Sequence, residues 1–302
     1  MKEKLKLNFT DMWGYEQYQF NPHDNYFTDL LSLQYDVEIT SEKPDLLIYS
    51  VFGQDFKKYD CKKIFFTGEN FSKEKIPDHY NNADLILSHY DESEKEVLFP
   101  LWVLFINWFN KPQPRPLPCN PTYLVDFDQI QLNRERFLTP NRRFCAFINN
   151  SPVDDRVQLF NELSKYKPVG SHGKLFNNVG SALRGSEQDK IDLLRFYKLT
   201  IAFENSYHTG YNTEKIIQPF AAGCIPIYKG GERVLKYFNM NSFVYANSVA
   251  FSNEAEFYEK IYKIDQDENL WKDIVMEKPL LMDAIMNDFA PEKILKTITA
   301  IL

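Results

Sequence analysis

Short apolar runs alternate along this chain with longer stretches whose apolar positions recur at helical spacing. Leu5-Lys6-Leu7-Asn8-Phe9 and Asp36-Val37-Glu38-Ile39-Thr40 read as strands, as do Asp45 to Val51, Lys63 to Thr67 and Ala83 to Ser88. Between the first two, Tyr26 to Leu33 has the spacing of a helix. Strands alternating with helices predict a largely parallel α/β sheet. The rhythm restarts with a strand over Arg143 to Ile148 and a helix start at Ser151-Pro152-Val153-Asp154. Ser151 would be the N-cap, Pro152 the first helical residue, and Asp154 could close a capping box. That helix is expected to reach about Tyr166, with Val157, Phe160 and Leu163 on its buried face. A helix over Asp189 to Tyr197, a strand over Leu199 to Phe203, a helix from Thr213, a strand over Cys224 to Tyr228 and a Gly230-Gly231 turn follow. From Asn253 onward the pattern is mostly helical.

The halves meet at the proline-rich segment Lys111 to Pro121. Proline fixes φ and removes a backbone donor, so this segment is expected to be a stiff, extended connector. It separates an N-terminal α/β domain over 1–135 from a C-terminal α/β domain with a helical tail over 136–302. A chain of 302 residues has room for two such cores. No GxGxxG and no GxxxxGK[ST] occurs, which disfavours dinucleotide-binding and P-loop enzymes. Two doubly wound domains facing each other across a cleft are the economical reading, with ligands at the carboxyl ends of strands.

Composition narrows the picture. Hydrophobic residues at 44% and charged residues at 25% are those of a soluble globular protein. A net charge of −7 argues against a nucleic-acid-binding surface. The 25 Phe and 18 Tyr read mainly as core packing. Cys61, Cys119, Cys145 and Cys224 show no CxxC spacing and read as small buried thiols in a reducing compartment. Met1 to Lys6 lacks the apolar run of a signal peptide. Leu98 to Phe109, the longest apolar run, is too short to span a bilayer. These features predict a cytoplasmic enzyme, at most peripheral to the inner face of the membrane.

The chemistry concentrates in Phe203-Glu204-Asn205-Ser206, Gly210-Tyr211-Asn212-Thr213-Glu214-Lys215-Ile216 and Ala222 to Tyr228. Carboxylates, an amide and a lysine gather there around one helix start. Free N–H groups and the dipole at such a start favour phosphate, and Lys215 adds a full charge where a departing diphosphate needs one. Glu204 and Asn205 end a buried strand, where an unpaired carboxylate is costly. A ligand, a loop N–H or a neighbouring cation must satisfy them. Glu214 suits paired sugar hydroxyls, or simply complements the helix dipole. Arg156 could grip phosphate oxygens in bidentate fashion, or pair on the surface with Asp154 or Asp155. Glu69 follows a glycine at a strand end; it is either an exposed turn residue or a carboxylate aimed into a cleft. Asp126-Phe127-Asp128 and Asp265-Gln266-Asp267 match a metal-binding Asp-x-Asp pattern. One lies beside the linker and the other in an acidic helical turn, so both read as solvated surface and no metal ligand is assigned.

Lys198 to Ser206, Gly210 to Ile216 and Pro226-Ile227-Tyr228 together resemble the donor-site signature of the α-1,3/4-fucosyltransferases, glycosyltransferase family ten. Thr67-Gly68-Glu69-Asn70 is similar to that family's segment bearing the proposed base. Phe144 to Asn150 followed by Arg156 is similar to its strand and phosphate-binding arginine. The resemblance runs from about Leu5 to Phe251 and is strongest to compact bacterial members. It implies a GT-B fold, GDP-β-L-fucose as donor and inverting transfer to a galactose/N-acetylglucosamine-type glycan, such as a lipopolysaccharide O-antigen. It implies Glu69 as catalytic base, with Arg156, Glu204, Asn205, Tyr211, Thr213, Glu214 and Lys215 at the donor. Gly170 to Lys174 and Asn177 to Gly180 resemble the family's donor loop, which makes Asn149, His172, Gly173 and Lys174 candidates. No cofactor is implied, and a divalent cation would at most stimulate. The chain departs from the family where an arginine-containing, proline-ended motif is missing after Asn70, which leaves the acceptor open. Trp102, Phe105, Trp108 and Phe109 could face sugar or membrane, but packing at a domain interface is the favoured expectation. No transmembrane stem, heptad repeat or basic amphipathic tail is visible. Another GDP-deoxysugar donor, or a silent glycan-binding relative, are the rival readings.

Overall fold

The computed structural model describes residues 2–15, 18–116, 119–180, 182–183, 185–247 and 253–302, without the side chains of Tyr15 and Tyr18. The chain divides into two compact units. One comprises Met1–Leu124, His208–Tyr211 and Asp283–Leu302; the other comprises Val125–Tyr207 and Asn212–Met282.

The first unit contains β1 (Glu3–Thr10), the short hairpin of β2 (Gly14–Tyr15) and β3 (Tyr18–Gln19), α1 (Tyr26–Ser32), β4 (Tyr35–Ile39), β5 (Leu46–Tyr49), β6 (Lys62–Phe66), α2 (Pro77–Asn81), β7 (Leu85–Ser88) and β8 (Glu96–Leu98). Six of these strands form one parallel sheet in the order β4-β1-β5-β6-β7-β8. Every residue of β5 and β7 is buried, as expected for strands covered on both faces. Asn25 caps α1 by accepting from the Phe27 and Thr28 N–H groups.

The second unit contains α3 (Phe127–Gln131), β9 (Arg143–Phe147), α4 (Asp154–Tyr166), β10 (Val169–Ser171), α5 (Glu187–Leu194), β11 (Tyr197–Phe203), α6 (Glu214–Ala221), β12 (Ile225–Lys229), α7 (Val234–Tyr237), β13 (Val244–Tyr245), α8 (Glu254–Gln266) and α9 (Glu268–Met276). Its sheet is also parallel, in the order β10-β9-β11-β12-β13. Phe147, Leu163, Ile201, Ile227 and Trp271 lie in its core. Two last helices, α10 (Met282–Phe289) and α11 (Pro291–Thr299), bring the chain back to the first unit.

The proline-rich segment is not an extended connector. It folds into the first unit, and the division falls after Leu124. Prolines leave few backbone donors, so a side chain holds the loop. The buried Arg115 guanidinium donates to Pro121 O at 2.8 Å and pairs with Asp24 at 3.0 Å. Leu117 and Pro118 lie outside the described residues. The tail belongs with the first unit because its apolar residues find cover there: Trp102, fully buried, meets the Phe289 ring edge-on at 5.3 Å. Phe109 packs on Tyr26 at 5.6 Å, and the Trp108 ring N–H donates to Val103 O. These contacts are interior to the first unit, where an inter-domain role was expected.

Helix α4 starts later than the capping pattern suggests. Val153, in extended backbone, is its N-cap and no side chain caps it, which leaves Ser151 and Pro152 in the preceding loop. Asp154 and Asp155 complement the helix dipole instead. Arg156, rather than Val157, joins Leu159, Phe160 and Leu163 on the buried face. Asp265 also departs from the solvated reading: it is buried and accepts from the Tyr166 hydroxyl and the Lys167 ammonium. Asp267 caps α9.

One arginine ties this unit together. Arg142 is buried and donates to the carbonyls of Tyr197 (3.0 Å), Gly223 (2.9 Å), Phe137 (2.9 Å) and Ala222 (3.2 Å). Two of these acceptors, the C-cap Ala222 and Gly223 after it, lie at the end of α6, where helical carbonyls lack intrahelical donors. Gly223 beside them has φ +63, and a Cβ there would meet Phe137 at 2.3 Å, so only glycine fits. Arg142→Met is expected to destabilise the protein by about 3 kcal/mol or more, because buried carbonyls lose charged donors. Urea unfolding measures this; a loss below about 1 kcal/mol would contradict the account.

Candidate functional site

The site grows from the end of β11. Glu204 follows the strand with its carboxylate almost wholly buried, and the loop folds back to satisfy it. Oε1 accepts from the Thr213 N–H at 2.7 Å and lies 3.0 Å from both the Thr213 and Tyr228 hydroxyls. Oε2 lies 2.8 Å from the Thr213 hydroxyl and 3.3 Å from the Lys215 ammonium. A loop N–H, two hydroxyls and a cation therefore meet the cost of burying this carboxylate. The Tyr228 hydroxyl also lies 2.8 Å from Asn212 Oδ1. Gly230 is required beside this cluster, since a Cβ there would meet the Tyr228 hydroxyl at 2.3 Å.

Helix α6 starts here, and its first donors are already used. The Thr213 N–H goes to Glu204, the Thr213 hydroxyl caps the Lys215 N–H, and Ile216 donates to Thr213 O. The Thr213, Lys215 and Ile216 N–H groups are thus taken by protein, and side chains add to the positive character of the place. Lys215 lies 3.2 Å from Glu214 and 3.0 Å from the Thr213 hydroxyl. Burial works to raise the Glu214 carboxyl, but the Lys215 and Lys190 ammoniums overcome it and hold it down to about 2.

Arg156 approaches from α4. Its Nε donates to Phe203 O at 3.0 Å and its Nη2 to Asn205 Oδ1 at 2.6 Å. The side chain is 1% exposed, and Asp155 pairs with Lys229 instead of with it. Arg156, Asn205, Glu214 and Lys215 line one cavity of 220 Å³. Asn149, Asn150, Ser151 and Lys190 share its wall, with Ile148, Leu194, Ala202 and Pro219 giving an apolar side.

Lys190 and Ser151 are the residues that sequence reasoning missed as wall groups. Lys190 looks like one more charge on an amphipathic helix, and α5 begins two residues earlier than its pattern suggests. The available signal was Ser186 followed by Asp189, which close a capping box and set the helix phase. Of the loop candidates, Asn149 is buried in the wall. Gly173 packs directly against it, where a Cβ would lie 1.9 Å from Asn149 O. Lys174 is exposed and does not line the cavity; its N–H donates to Asn150 Oδ1. His172 is held by the Tyr197 hydroxyl at 2.7 Å, and burial lowers its pKa, with Arg143 adding to the effect.

Glu69 and Tyr211 belong to the first unit. Glu69 is exposed just past β6; its N–H donates to the Thr67 hydroxyl at 3.0 Å. A Cβ at Gly68 before it would meet the Leu101 side chain at 2.6 Å, so a larger residue there would have to push that side chain aside. Glu69 lines a 190 Å³ cavity whose walls include Trp13, Ser50, Phe52, Phe66, Phe105 and Asn120. Tyr211 is buried with its ring edge-on to His89 at 5.6 Å. Among the described residues no cluster of three or more His, Cys, Asp or Glu side chains is placed to hold a metal ion. No helix among them is long and apolar enough to cross a membrane.

The family model for the α-(1,3)-fucosyltransferase FucT N-terminal domain matches residues 7–105. The model for the glycosyltransferase family 10 (fucosyltransferase) C-terminal region matches residues 141–275. The chain belongs to glycosyltransferase family 10. An α-(1,3)-fucosyltransferase of Helicobacter pylori is 27% identical over 305 residues, covering 91% of this chain and 60% of its own length. A putative fucosyltransferase of Acanthamoeba polyphaga mimivirus is 34% identical over 171 residues, 54% of this chain and 28% of its own length. The chain thus spans less than two thirds of these relatives. A crystal structure of an α1,3-fucosyltransferase superposes with a TM-score of 0.73 at 23% identity, covering 99% of this chain and 90% of that one. One with GDP-fucose gives 0.71 at 24%, covering 100% and 91%. The family 10 chain therefore has the two-domain GT-B fold of those structures, with one parallel α/β sheet in each unit.

The electrostatics of Glu214 predict an acid limb of stability. Its carboxyl titrates lower when folded (about 2) than its ordinary 4.5, so its contribution is present above 4.5 and is lost as pH falls toward 2. Unfolding free energy measured between those values is expected to fall less steeply for Glu214→Gln than for the unaltered protein. Equal slopes would count against this charge environment.

Proposed function

We propose that this family 10 chain is an inverting α-1,3-fucosyltransferase that moves L-fucose from GDP-β-L-fucose to a hydroxyl of a galactose/N-acetylglucosamine-type glycan. The observation that carries this reading is the meeting of Arg156, Asn205, Glu214 and Lys215 on one cavity at the carboxyl ends of the second sheet's strands. A diphosphate is the ligand class that such a cationic, strand-end cavity suits.

In this reading Glu69 takes the proton of the acceptor hydroxyl as its oxygen attacks the anomeric carbon of fucose. The bond from that carbon to the phosphate oxygen breaks, and GDP leaves carrying the electron pair. Base catalysis at the attacking oxygen and fixed positive charge at the leaving group are what a single displacement requires. Arg156 and Lys215 supply that charge. Glu214 binds paired hydroxyls of the donor's ribose, and Tyr211 bounds the sugar. Asn205 orients Arg156, while Glu204 and Thr213 hold Lys215. Asn149 and Gly173 shape the adjoining wall, with Lys174 at its edge. Positive side chains do the work that a divalent ion does elsewhere, so a metal would stimulate at most. The acceptor would be a surface glycan of the lipopolysaccharide O-antigen type, met by a cytoplasmic enzyme peripheral to the membrane's inner face.

Two measurements test this. Across a panel of GDP-sugars, transfer is expected with GDP-fucose; preference for another GDP-deoxysugar would remove the fucose assignment. Glu69→Gln is expected to lower transfer by about 10²- to 10⁴-fold while GDP affinity stays within about twofold. An unchanged rate would show that the base is elsewhere.

A further inference from the structure

We infer that Lys190 is the cation of the donor cavity that engages the diphosphate of the bound sugar nucleotide, in addition to the two cations the family signature supplies. This rests on the proposal above that the cavity binds a nucleoside diphosphate. The argument starts from what the signature cations already do. Lys215 lies within 3.3 Å of Glu204, 3.2 Å of Glu214 and 3.0 Å of the Thr213 hydroxyl. Arg156 spends Nε on Phe203 O and Nη2 on both Phe203 O and Asn205 Oδ1. Both are engaged by protein acceptors.

Lys190 differs. It is half-buried on α5, lines the same 220 Å³ cavity, and makes no side-chain hydrogen bond or ion pair among the described residues. It is held at the wall by its helix, since Ile191 and Leu194, which follow it on α5, are buried and the Ser186–Asp189 capping box fixes the first turn. Burial lowers the pKa of its ammonium and Lys215 adds to this, while Glu214, Glu187 and Glu204 act to raise it at longer range. A partly desolvated ammonium with carboxylates only at longer range and no hydrogen-bond acceptor of its own is costly unless a ligand completes it. The charge count agrees. Arg156, Lys190 and Lys215 face Glu204 and Glu214, which leaves one net positive charge, and Lys190 is one of the three cations that supply it. A nucleoside diphosphate ester brings two negative charges to this place. Without Lys190 it would meet a neutral site.

Isothermal titration with GDP and with guanosine, on the unaltered protein and on Lys190→Ala and Lys190→Arg, tests this. GDP affinity is expected to fall about 10- to 100-fold in Lys190→Ala, the range for loss of a charged donor to phosphate. Guanosine affinity should change less than about twofold, and Lys190→Arg should restore GDP binding to within about fivefold. Lys190→Gln, which keeps the stem, should bind GDP with a shallower dependence on salt than the unaltered protein. If Lys190→Ala and Lys190→Gln bind GDP like the parent, the inference is wrong. Equal weakening of GDP and guanosine would make Lys190 a packing residue and overturn it too. A parent protein with no GDP affinity would fail the donor-site reading itself, a result distinct from either.

Discussion

A carboxylate cannot end a buried strand unless something nearby donates to it, and the second unit is arranged around meeting that demand at Glu204. The groups that satisfy it come from three directions: the Thr213 backbone and hydroxyl, the Tyr228 hydroxyl on the neighbouring strand, and the Lys215 ammonium. Each bond places something else. The Thr213 contact fixes where α6 begins, the Tyr228 contact ties that start to β12, and the Lys215 contact sets the direction of the cation. A neutral residue at this position would leave those donors without their acceptor, so within the protein the carboxylate anchors the loop.

Helix α6 is fixed by charge at both ends. At its start stands Glu204; past its end Arg142 takes the Ala222 and Gly223 carbonyls. Arg156 repeats the device from α4, clamping the last carbonyl of β11 and the first amide of the loop. These bonds cost side-chain entropy at folding, and the cations are thereby aimed before any ligand arrives. Electrostatic stabilisation of a developing charge is strongest when the stabilising groups need not reorganise as the reaction proceeds.

The parallel α/β rhythm was legible because strands covered on both faces appear as continuous apolar runs, as Leu46 to Tyr49 and Leu85 to Ser88 do. The polar cluster was legible for the opposite reason: Glu204 and Asn205 directly follow such a run, where polar groups demand an explanation. Arg156 was harder. Two aspartates precede it, so local pattern suggests a surface charge, and only the sheet beneath reveals the Phe203 carbonyl it must satisfy. Asp265 misled in the same way, since Tyr166 and Lys167 lie about a hundred positions away in the chain. Serine before proline suggested a helix cap, yet Val153 in extended backbone starts the helix. The prolines of 111–121 suggested an extended linker because their stiffness is local, whereas the Arg115 to Asp24 pairing that folds the loop is not.

The helix start itself carries the last step. Sequence alone places open N–H groups there, the usual ground for expecting an anion at such a terminus. The folded chain gives three of them, on Thr213, Lys215 and Ile216, to Glu204 and the Thr213 side chain and carbonyl, so fewer remain for an anion. Side-chain charge on three separate elements, α4, α5 and α6, adds to the attraction for an anion. Three cations on separate helices can contact different oxygens of one ligand, which fixes an orientation that a single helix terminus does not. A site of this kind depends on how the sheet holds those helices in register. Under the proposed donor role, the buried ties to Phe203, Ala222 and Gly223 would therefore matter to binding as much as the cations they aim.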